Sequence, residues 1–407
     1  MPAPSAVSGA VPGASSGSVP GPSVLDGLSL LTQVADDLLL ATARDTHDAI
    51  ATRVYGTARL GLGQATSAPQ AVHRAIAGAV FGGLGLALRG SSKGLDRLAA
   101  TGVGPPLEAD HRGRLLTAAV NGLIGDELLR ERPQMAIPMA VRVDGRDVDV
   151  YDDAGVRAAY PEATGKVAVF LHGLCEDEQC WQLHRDRTGT TYPEALEAEG
   201  WTPVLLRANT GLPIRQNGVA LAALLQQVVD RWPTGVERIA LVGHSMGALI
   251  MRASSAVMAD GDAPSAWTRL VSDVVTLGAP HRGSWFAVSA GHGSRLLGWL
   301  EETAAFGRII DRQSEGILDL VEGLAEDVPP IGHARYRLVS GTITRTGWNP
   351  IGGVFGDGLV SPLSASGRDR HGRELFPDAT VLRVGRTDHF GLLNHPRVLA
   401  GLRDWLA

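Results

Sequence analysis

Two patterns of apolar residues divide the chain near residue 133. Before that point, apolar residues recur at every third or fourth position, which is the spacing of one face of an α-helix. The segments with this spacing are 24–43, 45–59, 69–88 and 107–132. Glycine and proline at 61–63, 90 and 102–106 are expected to end these helices. The pattern therefore predicts a helical N-terminal region over residues 24–132.

From residue 133 onward, short apolar runs of strand length alternate with helical stretches. The runs are 140–151 (with a turn at Asp144–Gly145), 167–172, 203–207, 239–243, 274–278, 336–342 and 380–384. Helical stretches such as 217–232 and 248–258 separate them. Continuous apolar strands that alternate with helices are typical of a parallel sheet with helices on both faces. The predicted fold is therefore α/β, with a mostly parallel sheet that gathers functional residues at the C-terminal ends of its strands.

Length and composition fit one large α/β domain with a smaller companion. Of the 407 residues, 44% are hydrophobic and 20% are charged, so a sizeable core can form. Residues 1–23 are rich in Pro, Gly, Ser and Ala and are predicted to be a disordered tail. The predicted units are this tail, the helical region 24–132 and the α/β domain 133–407. A net charge of −6 and a pI near 6.1 argue against a nucleic-acid partner.

The sequence lacks the usual signs of export or membrane insertion. No stretch reaches the roughly eighteen uninterrupted apolar residues of a membrane span, and the N-terminus has neither the basic start nor the apolar core of a signal peptide. A cytoplasmic location is the default expectation, with peripheral contact to a membrane left open. A G-x-x-x-G motif at Gly78–Gly82 permits close helix packing, and packing within a soluble protein is favoured over lipid insertion.

A G-x-S-x-G motif is the strongest chemical signal in the sequence. Gly243, Ser245 and Gly247 lie directly after a predicted strand and directly before a predicted helix. This is the setting of a nucleophile elbow, a sharp turn that needs tiny residues on either side of the serine. The helix that follows would favour the negative charge that develops during attack by the serine. Ser245 is therefore the candidate nucleophile.

An earlier strand ends in a turn that suits an oxyanion hole. His172-Gly173-Leu174 follows the run 167–172. In this architecture the backbone N–H after the glycine is one donor and the N–H after the nucleophile is the other. These donors are Leu174 and Met246.

A histidine near the end of the chain is the candidate general base. The order nucleophile, acid, histidine distinguishes this fold from other folds that carry a catalytic triad. His389 lies just past the last predicted strand, where a loop can reach the serine. Other histidines after Ser245 fall before that strand or in the terminal helix: His281, His292, His333, His371 and His395.

Four aspartates compete for the role of the acid that orients His389. Asp357 is preferred, because it lies in a glycine-flanked turn after the penultimate predicted strand. Asp388 adjoins His389 in sequence and is poorly placed to bind its ring. Asp388, Asp369 and Asp378 all stay open as alternatives, as does a purely structural role of Asp357 in its turn.

The chain from about residue 141 to its end resembles the esterase/lipase group of α/β-hydrolases, including bacterial triacylglycerol lipases and GPI inositol-deacylase-like proteins. The matching pieces are HGL at 172–174, RANTG at 207–211, GHSMG at 243–247, TLGAPHRGS at 276–284, GDGLV at 356–360 and DHFGLLNHP at 388–396. The resemblance implies an α/β-hydrolase fold, hydrolysis of a carboxylic ester through an acyl-enzyme, and Asp357 as the acid. The substrate would be a small-molecule or lipid ester, and neither a metal nor an organic cofactor is expected.

The substrate pocket is predicted with less support than the triad. The segment 281–333 is longer than a normal crossover and is interpreted either as a cap over an acyl pocket or as an ordinary packed helix. Trp181, Trp285 and Phe286 are the candidate pocket residues. Cys175 and Cys180 follow the oxyanion turn, and two free thiols are favoured over a disulfide.

Three functional hypotheses come from these residues. The first is a serine carboxylic-ester hydrolase, and the second is a thioesterase or acyltransferase on the same triad. The third is a lipid-surface scaffolding protein, which would not need the triad. Residues 24–132 are expected to dock on the α/β domain and help cover its pocket, with a lipid-surface contact through 75–88 as the competing hypothesis. The sequence leaves the oligomeric state open.

Overall fold

A computed structural model describes most of the chain. It covers residues 22–34, scattered positions between 36 and 52, and then 67–259, 263–284, 314–324, 328–345, 356–369 and 371–407. The predicted tail up to residue 21, most of the predicted helix 45–59 and the central part of the predicted cap, with Trp285 and Phe286, lie outside the described residues.

A mostly parallel sheet of eight strands forms the centre of the fold. In chain order its strands are β1 (Ala140–Val143), β2 (Arg146–Val148), β3 (Lys166–Leu171), β4 (Thr202–Arg207), β5 (Arg238–His244), β8 (Val271–Leu277), β9 (Arg335–Thr342) and β10 (Thr380–Gly385). Across the sheet the order is β10-β9-β8-β5-β3-β4-β1-β2, and only β1 and β2 run antiparallel to their neighbours. Each strand lies where the apolar runs predict it. Two short strands, β6 (Met258–Ala259) and β7 (Ala263–Pro264), form a separate hairpin.

The central strands are apolar along their length because both faces of the sheet are covered. Five of the six residues of β3 are buried. Val167, Val169 and Leu171 belong to the core on one face, whereas Ala168 and Phe170 belong to the core on the other. Successive side chains of a strand point to opposite faces, so a strand buried on both faces needs an unbroken apolar run.

Eleven α-helices surround or precede the sheet within the described residues. They are α1 (Val24–Val34), α2 (Ser67–Ala99), α3 (His111–Glu131), α4 (Asp153–Ala159), α5 (Arg185–Thr188), α6 (Tyr192–Glu197), α7 (Ile214–Arg231), α8 (Met246–Ser255), α9 (Glu315–Glu322), α10 (Pro362–Ala365) and α11 (Pro396–Leu406). Helix α8 ends before the predicted position, since Met258 already belongs to β6. Helix α2 continues through Gly90, where the sequence predicts an end. Glycine weakens a helix interior by only about 1 kcal/mol, so one glycine need not stop it.

The N-terminal helices have two different surroundings. Helix α3 packs against the α/β domain, where the Asn121 side chain accepts a hydrogen bond from the Ile137 N–H at 2.9 Å and donates one to the Met135 carbonyl at 3.0 Å. Helix α2 packs on α1 and leaves most of its surface exposed. The prediction of close packing at Gly78–Gly82 is therefore wrong. A Cβ atom added at either glycine would have no atom within 4 Å.

Candidate active site

The turn between β5 and α8 holds Ser245 in a strained conformation. Its φ is 50° and its ψ is −120°, a region that residues other than glycine rarely occupy. The two flanking glycines permit the turn because, without side chains, they allow neighbouring backbone atoms to lie close to them. A Cβ at Gly243 would lie 2.5 Å from the Ala248 Cα, and one at Gly247 would lie 2.4 Å from the His172 carbonyl oxygen. The geometry is that of a nucleophile elbow, with the hydroxyl at the C-terminal edge of the sheet.

His389 is bound to Asp357 beside this turn. The ring Nδ1 lies 2.9 Å from the Asp357 Oδ2, and the His389 N–H donates to the Asp357 carbonyl at 3.0 Å. The other carboxylate oxygen accepts the Val360 N–H at 2.8 Å, so the acid is fixed from both sides. Asp388 instead accepts the Gly391 N–H and makes a turn. Of the four candidate aspartates, the structure brings Asp357 to the histidine.

The base and the nucleophile are neighbours without a direct bond. No hydrogen bond between the Ser245 hydroxyl and His389 occurs among the contacts of the described residues. The His389 ring lies 4.8 Å from the ring of His244, the residue before the nucleophile. Both Ser245 and His389 are buried, at 8% and 4% exposure. Catalytic hydrogen bonds are often long in the absence of substrate, so the lack of this bond does not count against His389 as the base.

The predicted oxyanion turn lies directly over the elbow. A Cβ at Gly173 would be only 3.0 Å from the Ser245 Cβ, so the turn touches the nucleophile. Among the described residues, no acceptor takes the N–H of Leu174 or of Met246. Both predicted donors are therefore available to an oxygen that develops negative charge above Ser245.

Two further residues of this site were missed by the sequence analysis. Glu176 and His244 are buried side by side, with the His244 Nδ1 3.0 Å from the carboxylate. Burial by itself would lower the pKa of His244 and raise that of Glu176, but the attraction between the two groups outweighs burial in both. The pKa of His244 is raised above its ordinary value, and that of Glu176 is lowered to about 2. Only the position of His244 next to the nucleophile could have drawn attention to it.

An apolar cavity opens beside the oxyanion turn. Its volume is about 460 Å³. Leu174 and Leu183 come from the loop after β3, Phe390 follows His389, and His111 and Leu115 come from α3. The N-terminal region thus contributes to the wall of a cavity that borders the predicted catalytic residues.

Trp181 does not line this cavity, contrary to the prediction. Its side chain is completely buried in the core and packs edge-on against Phe170, with ring centroids 5.0 Å apart. The short 3₁₀ helix Glu178–Gln182 turns this ring toward the sheet. Its neighbours Gln179 and Gln182 line the cavity instead.

The two cysteines near the cavity are free thiols. Burial, followed by the negative charge of Glu176, raises the pKa of Cys175 to about 11. Burial also raises the pKa of Cys180 well above its ordinary value. A thiol acts as a nucleophile in its ionised form, so both are poor nucleophiles at neutral pH.

Residues 162–322 match the family described as "Putative serine esterase (DUF676)". The matched stretch contains the elbow at Ser245 and the oxyanion turn, whereas Asp357 and His389 lie beyond its end. The resemblance to serine esterases is thereby confirmed for this stretch, which is less than half of the chain. No curated protein matches the chain.

Several solved esterases and lipases are similar to part of this structure. The mature lipase BlEst2 of Bacillus licheniformis is 23% identical, with a TM-score of 0.43 over 60% of this chain and 92% of that chain. Esterase RhEst1 of Rhodococcus is 17% identical, with a TM-score of 0.37 over 66% of this chain and 98% of that chain. Esterase Pf2001 of Pyrococcus furiosus is 15% identical, with a TM-score of 0.35 over 60% of this chain and 84% of that chain.

Proposed function

We propose that the protein is a serine hydrolase that cleaves a carboxylic ester of a hydrophobic acid or alcohol. The observation that carries the proposal is the 2.9 Å contact between His389 Nδ1 and Asp357 Oδ2 beside a strained Ser245. A carboxylate on Nδ1 fixes the tautomer whose Nε2 accepts a proton. This arrangement has a chemical purpose at a nucleophile elbow and none in a lipid-surface scaffold.

The reaction would run through an acyl-enzyme. Ser245 attacks the ester carbonyl while His389 accepts its proton, and the N–H groups of Leu174 and Met246 bind the oxyanion. The imidazolium of His389 then protonates the departing alcohol. Water, deprotonated by His389, attacks the acyl-enzyme and releases the acid and the free serine. Asp357 orients the ring and stabilises its positive charge.

Removing each triad member tests this function. Ser245→Ala should lower kcat for a p-nitrophenyl ester by on the order of 10⁴- to 10⁶-fold. A fluorophosphonate probe should label the wild type and a Ser254→Ala control, but not Ser245→Ala. Labelling that persists in Ser245→Ala would contradict the assignment of the nucleophile.

The acid and the base have their own test. His389→Ala should be nearly as damaging as Ser245→Ala, and Asp357→Asn less damaging, because the acid acts through the ring. Asp388→Asn is the matched control, since its carboxylate makes a neighbouring turn. A larger loss in Asp388→Asn than in Asp357→Asn would mean that the acid is wrongly assigned.

The cavity of about 460 Å³ supports a hydrophobic substrate. Its apolar side chains, Leu115, Leu174, Leu183 and Phe390, suit a hydrocarbon chain next to the oxyanion turn. A series of p-nitrophenyl esters should therefore show a preference for chains longer than acetate. A thioesterase or acyltransferase on the same triad is the alternative. Faster turnover of the matching thioester, or a new ester formed from an added alcohol, would favour it.

We further propose that helix α2 lies on an anionic membrane surface. It is the one helix among the described residues that is long and apolar enough to cross a membrane by length and composition, over Gln70–Ala99, and only 11% of its most apolar window is buried. Four exposed apolar residues follow at four-residue steps: Val72, Ile76, Val80 and Leu84. Residues at this spacing form one stripe of a helix.

The charges of α2 favour a position in the plane of the surface. Residues 75–88 carry no charge, but at about 1.5 Å per residue they extend only about 21 Å, less than the roughly 30 Å hydrocarbon core. Arg74 precedes this stretch, and Arg89, Lys93 and Arg97 follow it, against one acidic residue in the helix, Asp96. Basic residues around an apolar face suit a surface of anionic lipids.

Vesicle binding tests this contact. The full chain should sediment with phosphatidylglycerol vesicles, less with phosphatidylcholine vesicles, and less at high salt. The double substitution Val80→Asp with Leu84→Asp should abolish binding. Val219→Asp, on the exposed face of α7, should leave it intact. The wild type could instead be a dimer and the double variant a monomer, with neither form binding vesicles. In that case the face is an interface between two copies, and the membrane proposal is wrong.

A further inference from the structure

We propose that Glu176 and His244 form a buried ion pair whose role is to fix the positions of three catalytic loops relative to one another. The pair joins the oxyanion turn, the nucleophile elbow and the loop of the general base. The inference rests on the proposed ester hydrolysis, because it assigns these residues a positioning role in that reaction. Neither residue is expected to touch the reacting atoms.

The contacts of the pair reach each of the three loops. Glu176 Oε2 accepts the N–H of Gly173, in the oxyanion turn, at 2.7 Å. His244 directly precedes Ser245, and its Nδ1 lies 3.0 Å from the same carboxylate oxygen. On the other side of the ring, His244 Nε2 lies 3.3 Å from the His389 carbonyl oxygen. One continuous chain of hydrogen bonds therefore links the turn after β3, the end of β5 and the loop after β10.

The partners of His244 require a positively charged ring. Nδ1 faces a carboxylate and Nε2 faces a carbonyl oxygen, and both of these groups only accept hydrogen bonds when the acid is ionised. A neutral imidazole has one N–H and can satisfy only one of them. An imidazolium, which has two, satisfies both. Leaving a buried acceptor without a donor destabilises the folded state.

His172, directly after the neighbouring strand β3, shows the contrasting case. Its Nδ1 lies 2.9 Å from the Gly173 carbonyl oxygen and must donate, whereas its Nε2 accepts the Ala208 N–H at 3.1 Å. One donor and one acceptor fix a neutral ring, and burial lowers the pKa of His172 accordingly. The opposite pKa shifts of two equally buried histidines therefore follow from their partners.

Other charged groups near His244 support the same assignment. Besides Glu176, the Asp357 carboxylate contributes to raising the pKa of His244. The Glu176 carboxylate is in turn stabilised by His244 and by the Gly173 N–H, and its pKa is lowered to about 2 against the effect of burial. The charges around the pair therefore favour the same ionised form as its hydrogen bonds.

A loss of this pair should lower catalysis more than binding. Glu176 fixes the Gly173 N–H and thereby the direction of the next N–H, that of Leu174, which is the proposed oxyanion donor. A donor that is misdirected weakens the transition state, in which the oxyanion exists, more than the ground state. Removal of a whole oxyanion donor costs about 10²- to 10³-fold in kcat. A displaced donor should cost less, on the order of tenfold to a hundredfold.

Glu176→Gln is the informative variant, because it keeps the size and one acceptor oxygen and removes the charge. It should lower kcat on the order of tenfold to a hundredfold with little change in KM, and it should slow fluorophosphonate labelling of Ser245 by a similar factor. Glu178→Gln is the matched control. Glu178 is also buried, two residues later, but it binds Arg142 at 3.0 Å, away from the catalytic loops. It should lower the thermal midpoint and leave kcat unchanged.

The charge state of His244 gives a test that does not depend on activity. In a long-range ¹H–¹⁵N spectrum at pH 8, one histidine should show the imidazolium pattern. That signal should disappear in His244→Gln and become neutral in Glu176→Gln. A wild type without any imidazolium at pH 8 would overturn the inference, as would equal losses of kcat in Glu176→Gln and Glu178→Gln. A wild type that shows the imidazolium but neither hydrolyses esters nor reacts with the probe would instead overturn the proposed function.

Discussion

Among the helices that precede the sheet, α2 and α3 use their glycines in opposite ways. In α3, a Cβ at Gly122 would lie 2.4 Å from the Cys175 Sγ, and one at Gly125 would lie 1.9 Å from the Asn209 Oδ1. In α2, a Cβ at Gly78 or Gly82 would meet no atom within 4 Å. The glycines Gly122 and Gly125 of α3 therefore permit contact with the α/β domain, whereas Gly78 and Gly82 lie on an exposed surface of α2.

The hypothesis that the N-terminal region docks on the α/β domain therefore holds for α3 and not for most of α2. Helix α3 is docked as expected, and the Ser314 hydroxyl donates to its Gly122 carbonyl at 2.8 Å. The contacts of helix α2 include α1, Asp36, which binds Arg89 at 2.7 Å, and Arg132, which binds Asp96 at 3.2 Å. The apolar spacing of a helix thus indicates that one face needs a partner, but not whether that partner belongs to the same chain.

Among the substitutions that test this comparison, the largest effect is expected where a methyl group fills the contact between α3 and the α/β domain. Gly122→Ala would place a methyl group against the Cys175 Sγ and 2.9 Å from its backbone Cα and N, so one of the two segments must move. We expect a loss of about 1–3 kcal/mol in the free energy of unfolding. Because Cys175 follows the oxyanion donor Leu174, kcat should fall as well. Urea unfolding and ester turnover measure the two effects.

A comparison within the same helix provides the control for that variant. Leu129→Ala removes an exposed side chain of α3 and should change neither quantity appreciably. If Gly122→Ala keeps both the wild-type stability and kcat, α3 is not held against the catalytic loop as described.

The sheet was predictable because its physical requirements are local. A strand buried on both faces must be apolar throughout, so each of the runs from 140–151 to 380–384 coincides with strands of the sheet. The elbow is equally local, since the flanking glycines Gly243 and Gly247 stand beside Ser245 in sequence. The pairing of His389 with Asp357 follows from the order of strands, which brings the ends of β9 and β10 together.

Other features were not predictable, because they depend on groups that are distant in sequence. Glu176 and His244 are 68 residues apart, and neither belongs to a motif that announces an ion pair. Trp181 is aromatic and close to the oxyanion turn, yet a 3₁₀ turn directs it into the core. The exposure of Gly78–Gly82 likewise depends on which segments pack nearby. A G-x-x-x-G motif has the same sequence whether its glycines are packed or exposed.

A substitution with an effect of intermediate size tests whether α3 shapes the cavity. Leu115 is partly exposed and lines the cavity together with His111, Leu174 and Phe390. Leu115→Trp should reduce the space for a long chain and shift the preference toward shorter p-nitrophenyl esters, by about tenfold in the ratio of kcat/KM values. Turnover of the acetate should stay close to that of the wild type. An unchanged chain-length profile would mean that the substrate chain occupies another part of the site.

The smallest expected effect is a gain in stability at α2. Gly78→Ala adds a methyl group where no atom lies within 4 Å, and α2 is a regular helix there. Alanine lowers the entropy of the unfolded chain, so the free energy of unfolding should rise by about 0.5–1 kcal/mol. Turnover of a soluble ester should not change, since a methyl group at Gly78 would not contact the catalytic loops. The opposite signs expected for Gly78→Ala and Gly122→Ala, the same substitution in two neighbouring helices, make the comparison sharp. A loss of stability in Gly78→Ala would mean that α2 is covered by a partner in solution, and its open surface would then have to be assigned to contact with another chain.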